Sequence, residues 1–208
     1  MRIIRVPVGV YITNCYIVEG KQEGRGFLVD PADNPDKIVS ILEKENIYPE
    51  AILLTHGHYD HILAVPQLQK YWKDIPVYCN EKDIPQEKVE YDMGQAFPTV
   101  AAFENIQKIR DGQELELAGM TVRVMSTPGH TPGSVLFLTE EAIFTGDTIF
   151  RGSIGRTDFA GGDERQMMQS LRKIKNLAMD DIALYPGHGD TSTLKWERAH
   201  NGYLRICG

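Results

Sequence analysis

Five of the six histidines of this 208-residue chain fall in three short segments. His56, His58 and His61 lie in Thr55-His56-Gly57-His58-Tyr59-Asp60-His61, His130 closes Thr127-Pro128-Gly129-His130, and His188 sits in Pro186-Gly187-His188-Gly189. Imidazole nitrogen and carboxylate oxygen are the donors preferred by zinc and its neighbours. His56 and His58, separated by one residue, can converge on one ion from a loop. Asp60 and His61 continue the same turn and can hold a second ion close by, while a carboxylate such as Asp147, in Thr145-Gly146-Asp147, can bridge the two. Glycine and proline around each histidine let the backbone turn sharply and leave room for metal and substrate. A lone histidine is most often a hydrogen-bonded turn residue, but five gathered this way outweigh that reading.

The elements that must position these groups follow from hydrophobic periodicity. Residues 2 to 6, 11 to 18 and 26 to 30 read as strands of a small antiparallel sheet, with Gly9, Gly20 and Gly24 as turn residues. Asn34 and Pro35 open a helix that carries Ile38, Ile41 and Leu42 on one face and ends near Asn46. Residues 51 to 54 form a buried strand that runs directly into the first histidine segment. A helix over 62 to 72 should be irregular at its start because of Pro66, and 76 to 79 is a further strand. The stretch 81 to 105 reads as a short helix and an irregular segment near a substrate entrance. Strands follow at 114 to 117, 121 to 125, 134 to 139 and 142 to 145. Asp163 starts an amphipathic helix to Leu177, with Met167, Met168, Leu171 and Ile174 as its buried face, and the methionines read as core filler. A strand over 182 to 185 and a closing helix over 193 to 206 complete the chain. Two groups of strands with helices between and after them imply sheets packed face to face with helices outside.

Composition narrows the function classes. The length suits one domain over residues 1 to 208, and 42% hydrophobic with 25% charged residues is an ordinary soluble balance. No apolar run approaches the roughly 20 residues of a membrane span, and the N-terminal stretch has no signal-peptide core. A net charge of −7 without a basic run argues against nucleic acid. Three widely spaced cysteines, Cys15, Cys79 and Cys207, fit neither a disulfide framework nor a zinc finger, and suit a reducing cytoplasm.

The run T-H-G-H-Y-D-H at 55 to 61 resembles the T-H-x-H-x-D-H motif of the metallo-β-lactamase superfamily. The resemblance extends from Leu28-Val29-Asp30-Pro31 through His130 and Asp147 to His188, in the family's order. It implies an α+β fold, a four-layer αββα sandwich with metals at one edge. It also implies a first metal held by His56, His58 and His130, a second held by Asp60, His61 and His188, and Asp147 bridging them. The ions would be two divalent metals, zinc first, with iron or manganese as alternatives. His200 is left over as a surface residue of the last helix.

Within the superfamily, Phe144-Thr145-Gly146-Asp147-Thr148-Ile149-Phe150 and Gly155-Arg156-Thr157-Asp158 resemble the glyoxalase II branch, the hydroxyacylglutathione hydrolases, and the tail resembles their short bacterial relatives. Two departures concern glutathione: the branch's C-terminal basic helical region is not matched, and Asp190 and Asp158 stand where tyrosines are expected. Arg156 lies where the larger enzymes have a basic substrate-binding residue, and is a candidate anion anchor or an ion-pair partner. The expected activity is hydrolysis of a small thioester such as S-lactoylglutathione. A metal-bridging hydroxide, acidified from about 15.7 towards 7, would be the nucleophile, with Asp60 orienting it. The alternatives are an iron-dependent persulfide dioxygenase, which shares the histidines and Gly155-Arg156-Thr157-Asp158-Phe159, and a binding protein that keeps the fold without turnover. The expected partner is the small-molecule substrate, with neither nucleic acid nor membrane, in a monomer or homodimer.

Overall fold

The computed structural model describes residues 1–84, 102–179 and 181–207. Its first half builds a six-stranded sheet from β1 (Arg2–Val8), β2 (Thr13–Glu19), β3 (Arg25–Val29), β4 (Tyr48–Leu53), β5 (Val77–Asn80) and β6 (Ile106–Ile109), lying side by side in chain order. The first three strands are antiparallel, and β3 to β6 run parallel. Parallel pairing needs crossovers. These carry α1 (Pro35–Glu45), and α2 (Tyr59–Ile62) with α3 (Val65–Tyr71).

The second sheet contains β7 (Glu114–Leu117), β8 (Met120–Ser126), β9 (Val135–Leu138) and β10 (Ala142–Gly146), then β13 (Ala183–Pro186) and β14 (Ser192–Thr193), in the order β14-β13-β10-β9-β8-β7. A two-stranded hairpin of β11 (Ile149–Phe150) and β12 (Ser153–Ile154) stands apart from it. α4 (Glu164–Lys175) connects β12 to β13, and α5 (Leu194–His200) and α6 (Gly202–Ile206) close the chain.

The period-two alternation of strand side chains divides the core into three apolar layers. Tyr16, Val18, Phe27 and Leu53 of the first sheet meet Val122, Val124, Phe137 and Phe144 of the second. On the outer face of the first sheet, Ile17, Leu28 and Ile52 pack on Ile38 and Leu42 of α1 and Leu68 of α3. On the outer face of the second, Leu136, Ile143 and Leu184 pack on Met167, Leu171 and Ile174 of α4 and Leu204 of α6. Helices, two facing sheets and helices make the expected αββα sandwich. No helix among the described residues is long and apolar enough to cross a membrane.

Several local expectations are corrected. Residues 11 and 12 belong to the β1–β2 turn, where Gly9 and Ile12 both take positive φ, so the second strand starts at Thr13. The 62–72 helix is two helices, with Pro66 in the first turn of the second. The closing helix breaks at Asn201, whose side chain accepts a hydrogen bond from the Tyr203 amide and caps α6. β6 and the two-residue strands β11, β12 and β14 have no counterpart in the sequence reading, being too short or too polar for a period to show. Of the 81–105 stretch, 81–83 forms a 3₁₀ turn and residues 85–101 lie outside the described residues.

Candidate metal centre

The clustered groups stand just beyond the C-terminal ends of four strands: His56, His58, Asp60 and His61 after β4, His130 after β8, Asp147 after β10, and His188 after β13. Backbone crossings hold these loops together. Val135 donates its amide to the Thr55 carbonyl at 2.8 Å, Gly187 to Gly146 at 2.9 Å, and Asn14 to Gly187 at 2.7 Å. The two glycines are required by space. At Gly146, which has φ +47°, a Cβ would overlap Thr55, and at Gly187 it would overlap Asp147 Oδ1.

Two triads result, each with its donor atoms within 4.8 Å of one another: His56, His58 and His130, and Asp60, His61 and His188. In the first, His58 Nδ1 lies 3.0 Å from His56 Nε2 and 2.8 Å from His130 Nε2. The neighbours fix which nitrogens are bare. His130 Nδ1 donates to the Arg156 carbonyl at 2.7 Å, so its Nε2 is the acceptor end. Thr55 Oγ1 donates to Asp30 Oδ2 at 2.6 Å and therefore accepts from His56 Nδ1 at 3.1 Å, which bares His56 Nε2 as well. His58 Nδ1 can donate to at most one of these two lone pairs, so a hydrogen-bond network alone leaves the triad unsatisfied. Burial, then the neighbouring imidazoles, push His56 well below its ordinary pKa, and burial and His130 bring His58 to about 3. Both are held neutral, the form that binds metal.

The second triad includes a carboxylate. Asp60 Oδ2 accepts from the Thr13 hydroxyl at 3.2 Å and lies 3.4 Å from His188 Nε2 and 3.8 Å from His61 Nε2. His61 Nδ1 donates to Asp30 Oδ2 at 3.0 Å, and His188 Nδ1 to the Tyr11 carbonyl at 3.2 Å, so both rings present Nε2 to the site. Burial by itself would lower His61, but Asp147, Asp60 and Asp30 outweigh it and raise its pKa to about 10. Burial would raise Asp60, but His61 and His188 outweigh it and hold the carboxyl below its ordinary range. The pocket thus favours positive charge at its centre.

Asp147 stands between the triads. Its Oδ2 is 3.6 Å from His130 Nε2 and 3.5 Å from His188 Nε2, and its Oδ1 is 3.4 Å from His61 Nε2. Asp147 Oδ1 and His61 Nε2 are buried without a hydrogen-bond partner. Such orphaned groups cost about 1–3 kcal/mol each unless something else satisfies them. Five facing imidazole nitrogens, the Asp60 and Asp147 carboxylates and two orphaned atoms fit a pair of divalent cations. Asp30, His56 and His61 form another close group, but both Asp30 oxygens are already engaged by Thr55 and His61.

Arg156, by contrast, is not directed at the triads by its side chain. Its Nε and one terminal nitrogen each donate to an Asp158 carboxylate oxygen at 2.6 Å, and its guanidinium lies 3.9 Å from the centre of the Phe159 ring. His200 is exposed and stacks on Trp196. Two positioning carboxylates escaped the sequence reading. Asp30, 31 residues from His61, orients that ring. Asp83 accepts from the Gly57 amide at 3.2 Å, the Gly133 amide at 2.8 Å and the Thr131 hydroxyl, tying the His56–His58 loop to the loop after His130. An acidic residue at the end of an apolar strand, as in Leu28-Val29-Asp30-Pro31, is a signal for the first; nothing local marks the second.

Residues 8–188 match the metallo-beta-lactamase superfamily, and the chain belongs to that superfamily. It is similar to an uncharacterised protein of Mycobacterium tuberculosis, 34% identical over 98% of both chains. It is similar also to the hydroxyacylglutathione hydrolase GloC of Haemophilus influenzae, 32% identical over 98% of both. Among solved structures, the B3 metallo-beta-lactamase BLEG-1 superposes with a TM-score of 0.88 at 31% identity, covering 98% of this chain and 99% of that one. TTHA1623, solved in a di-iron-bound form, gives 0.85 at 35% identity, covering 97% and 100%.

Proposed function

We propose that the chain is a dinuclear metal-dependent hydrolase of thioesters, in which His56, His58 and His130 would hold one ion and Asp60, His61 and His188 the other, with Asp147 available to both. The observation that carries the reading is the position of Asp147, whose two oxygens reach histidines of both triads while one of them has no hydrogen bond. Divalent ions held there would acidify a water towards neutral pH and polarise a substrate carbonyl. The chain's own groups do the rest. Asp60 lines the cavity, is held ionised, and is steadied by Thr13, so it can accept a hydrogen bond from the attacking water and aim its lone pair. The water loses one proton to solvent, the resulting hydroxide oxygen bonds to the carbonyl carbon, and the carbon–sulfur bond breaks with its electron pair on sulfur. The thiolate leaves without needing a strong acid, and the carboxylic acid formed gives its remaining proton to the thiolate or to solvent.

The Haemophilus influenzae relative supports the thioester reading over other hydrolyses. BLEG-1 supports a β-lactam as the second substrate class, and the di-iron form of TTHA1623 keeps iron as an alternative to zinc. The experiment is turnover by the metal-loaded protein of S-lactoylglutathione and simpler thioesters, of a chromogenic β-lactam, and oxygen uptake with glutathione persulfide. Thioester cleavage that falls at least about 100-fold in Asp60→Ala is the expected result. β-Lactam cleavage alone, or oxygen uptake by an iron-loaded protein without hydrolysis, would replace this reading.

A further inference from the structure

The cavity over the triads holds about 490 Å³, a small-molecule volume, and its wall is aromatic beyond the candidate ligands. Phe159 stands edge to face with the His58 ring at 5.8 Å, Phe150 with the His188 ring at 6.0 Å, and Tyr11 with Tyr59 at 6.0 Å. Each triad is therefore flanked by its own aromatic ring. Arg156 is the one lysine or arginine among the described lining residues, and the Nε and Nη2 edge of its guanidinium is taken by Asp158.

We propose that the cavity selects a thioester whose group beside the reacting carbonyl is apolar and whose thiol carries no carboxylate near Arg156. The proposal rests on the thioester reading above and narrows its substrate class. A substrate carboxylate would either compete with Asp158 for the Nε and Nη2 edge of Arg156 or settle on Nη1 beside the Asp158 carboxylate. Asp158 sits two residues away on the same backbone, so it competes at an effective concentration of about millimolar or more. Once displaced it remains an anion beside the newcomer, so the rim offers an anionic thiol little net attraction. The guanidinium is also spread over Phe159, another residue of the cavity wall. An apolar group seated between Phe150, Phe159 and Tyr11 loses its contact with water and repels nothing.

The test uses uncleavable thioethers on the metal-loaded protein, with dissociation constants read by calorimetry. S-benzyl-N-acetylcysteamine is expected to bind at least about tenfold more tightly than S-methyl-N-acetylcysteamine, as burial of a phenyl ring requires. It should also bind no more weakly than S-benzylglutathione. Asp158→Asn, a change at an exposed side chain, is expected to move the ratio about fivefold towards the glutathione conjugate, the size of one exposed ion pair. Equal binding of the methyl and benzyl compounds, or a preference for the glutathione conjugate that Asp158→Asn leaves unmoved, would overturn the proposal. Thioether binding is read without turnover. Binding as expected with no cleavage of phenylacetyl or lactoyl thioesters would therefore sink the hydrolase reading and leave the cavity's selectivity standing.

Discussion

His61 Nε2 and Asp147 Oδ1 face each other across 3.4 Å, both buried and neither hydrogen-bonded. The opposite edge of the His61 ring is held by Asp30, and Asp147's other oxygen looks towards His130 and His188. A buried pair so well supported and yet without a hydrogen bond is what a shared cation would satisfy. Asp147→Ala removes the group common to both triads. The expected outcome is a fall in metal content, by elemental analysis after dialysis, from about two ions per chain to about one or fewer.

Asp30 acts one step further out. It accepts the Thr55 amide at 2.8 Å and the Thr55 hydroxyl as well as the His61 ring, and so fixes the loop and the ring together. Asp30→Asn should weaken the affinity of the second site by roughly 10- to 100-fold, as loss of an orienting carboxylate does. Stepwise titration of the metal-free protein would show the larger loss at the second site, with a smaller one at the first, because Asp30 also holds the Thr55 hydroxyl that faces His56.

Asp83 makes the complementary prediction. Its three donors belong to the loops that carry His56, His58 and His130, and burial raises its carboxyl above the ordinary range even though those donors pull it down. Asp83→Asn should weaken the first site, on the order of tenfold, and cost about 1–3 kcal/mol in denaturant unfolding. Weakening of the second site instead would show that the two loops are not its concern.

The sequence carried the histidines because their spacing is local and their neighbours are the glycines and prolines that sharp turns need. The helices were legible for the same reason: α4 shows its buried face at Met167, Leu171 and Ile174, with Asp163 accepting the Gln166 amide as its cap. Asp83 was not legible as a clamp because it falls in the 81 to 105 stretch, read only as a short helix and an irregular segment, and its partner Thr131 lies 48 residues away. The Arg156–Asp158 pair shows the opposite difficulty. The residues are close in sequence, but only the structure shows the guanidinium turned onto Asp158 and Phe159. Strands of two residues, such as β11 and β12, have no room for a period, although they bring Phe150, Ser153 and Ile154 to the cavity wall.

The central claim is that two ions share Asp147, and calorimetric titration of the metal-free protein with zinc tests it most directly. The account predicts two equivalents per chain in the wild type, one weakened chiefly by Asp30→Asn and the other by Asp83→Asn. A single equivalent in the wild type, or two equivalents untouched by Asp147→Ala, would contradict it.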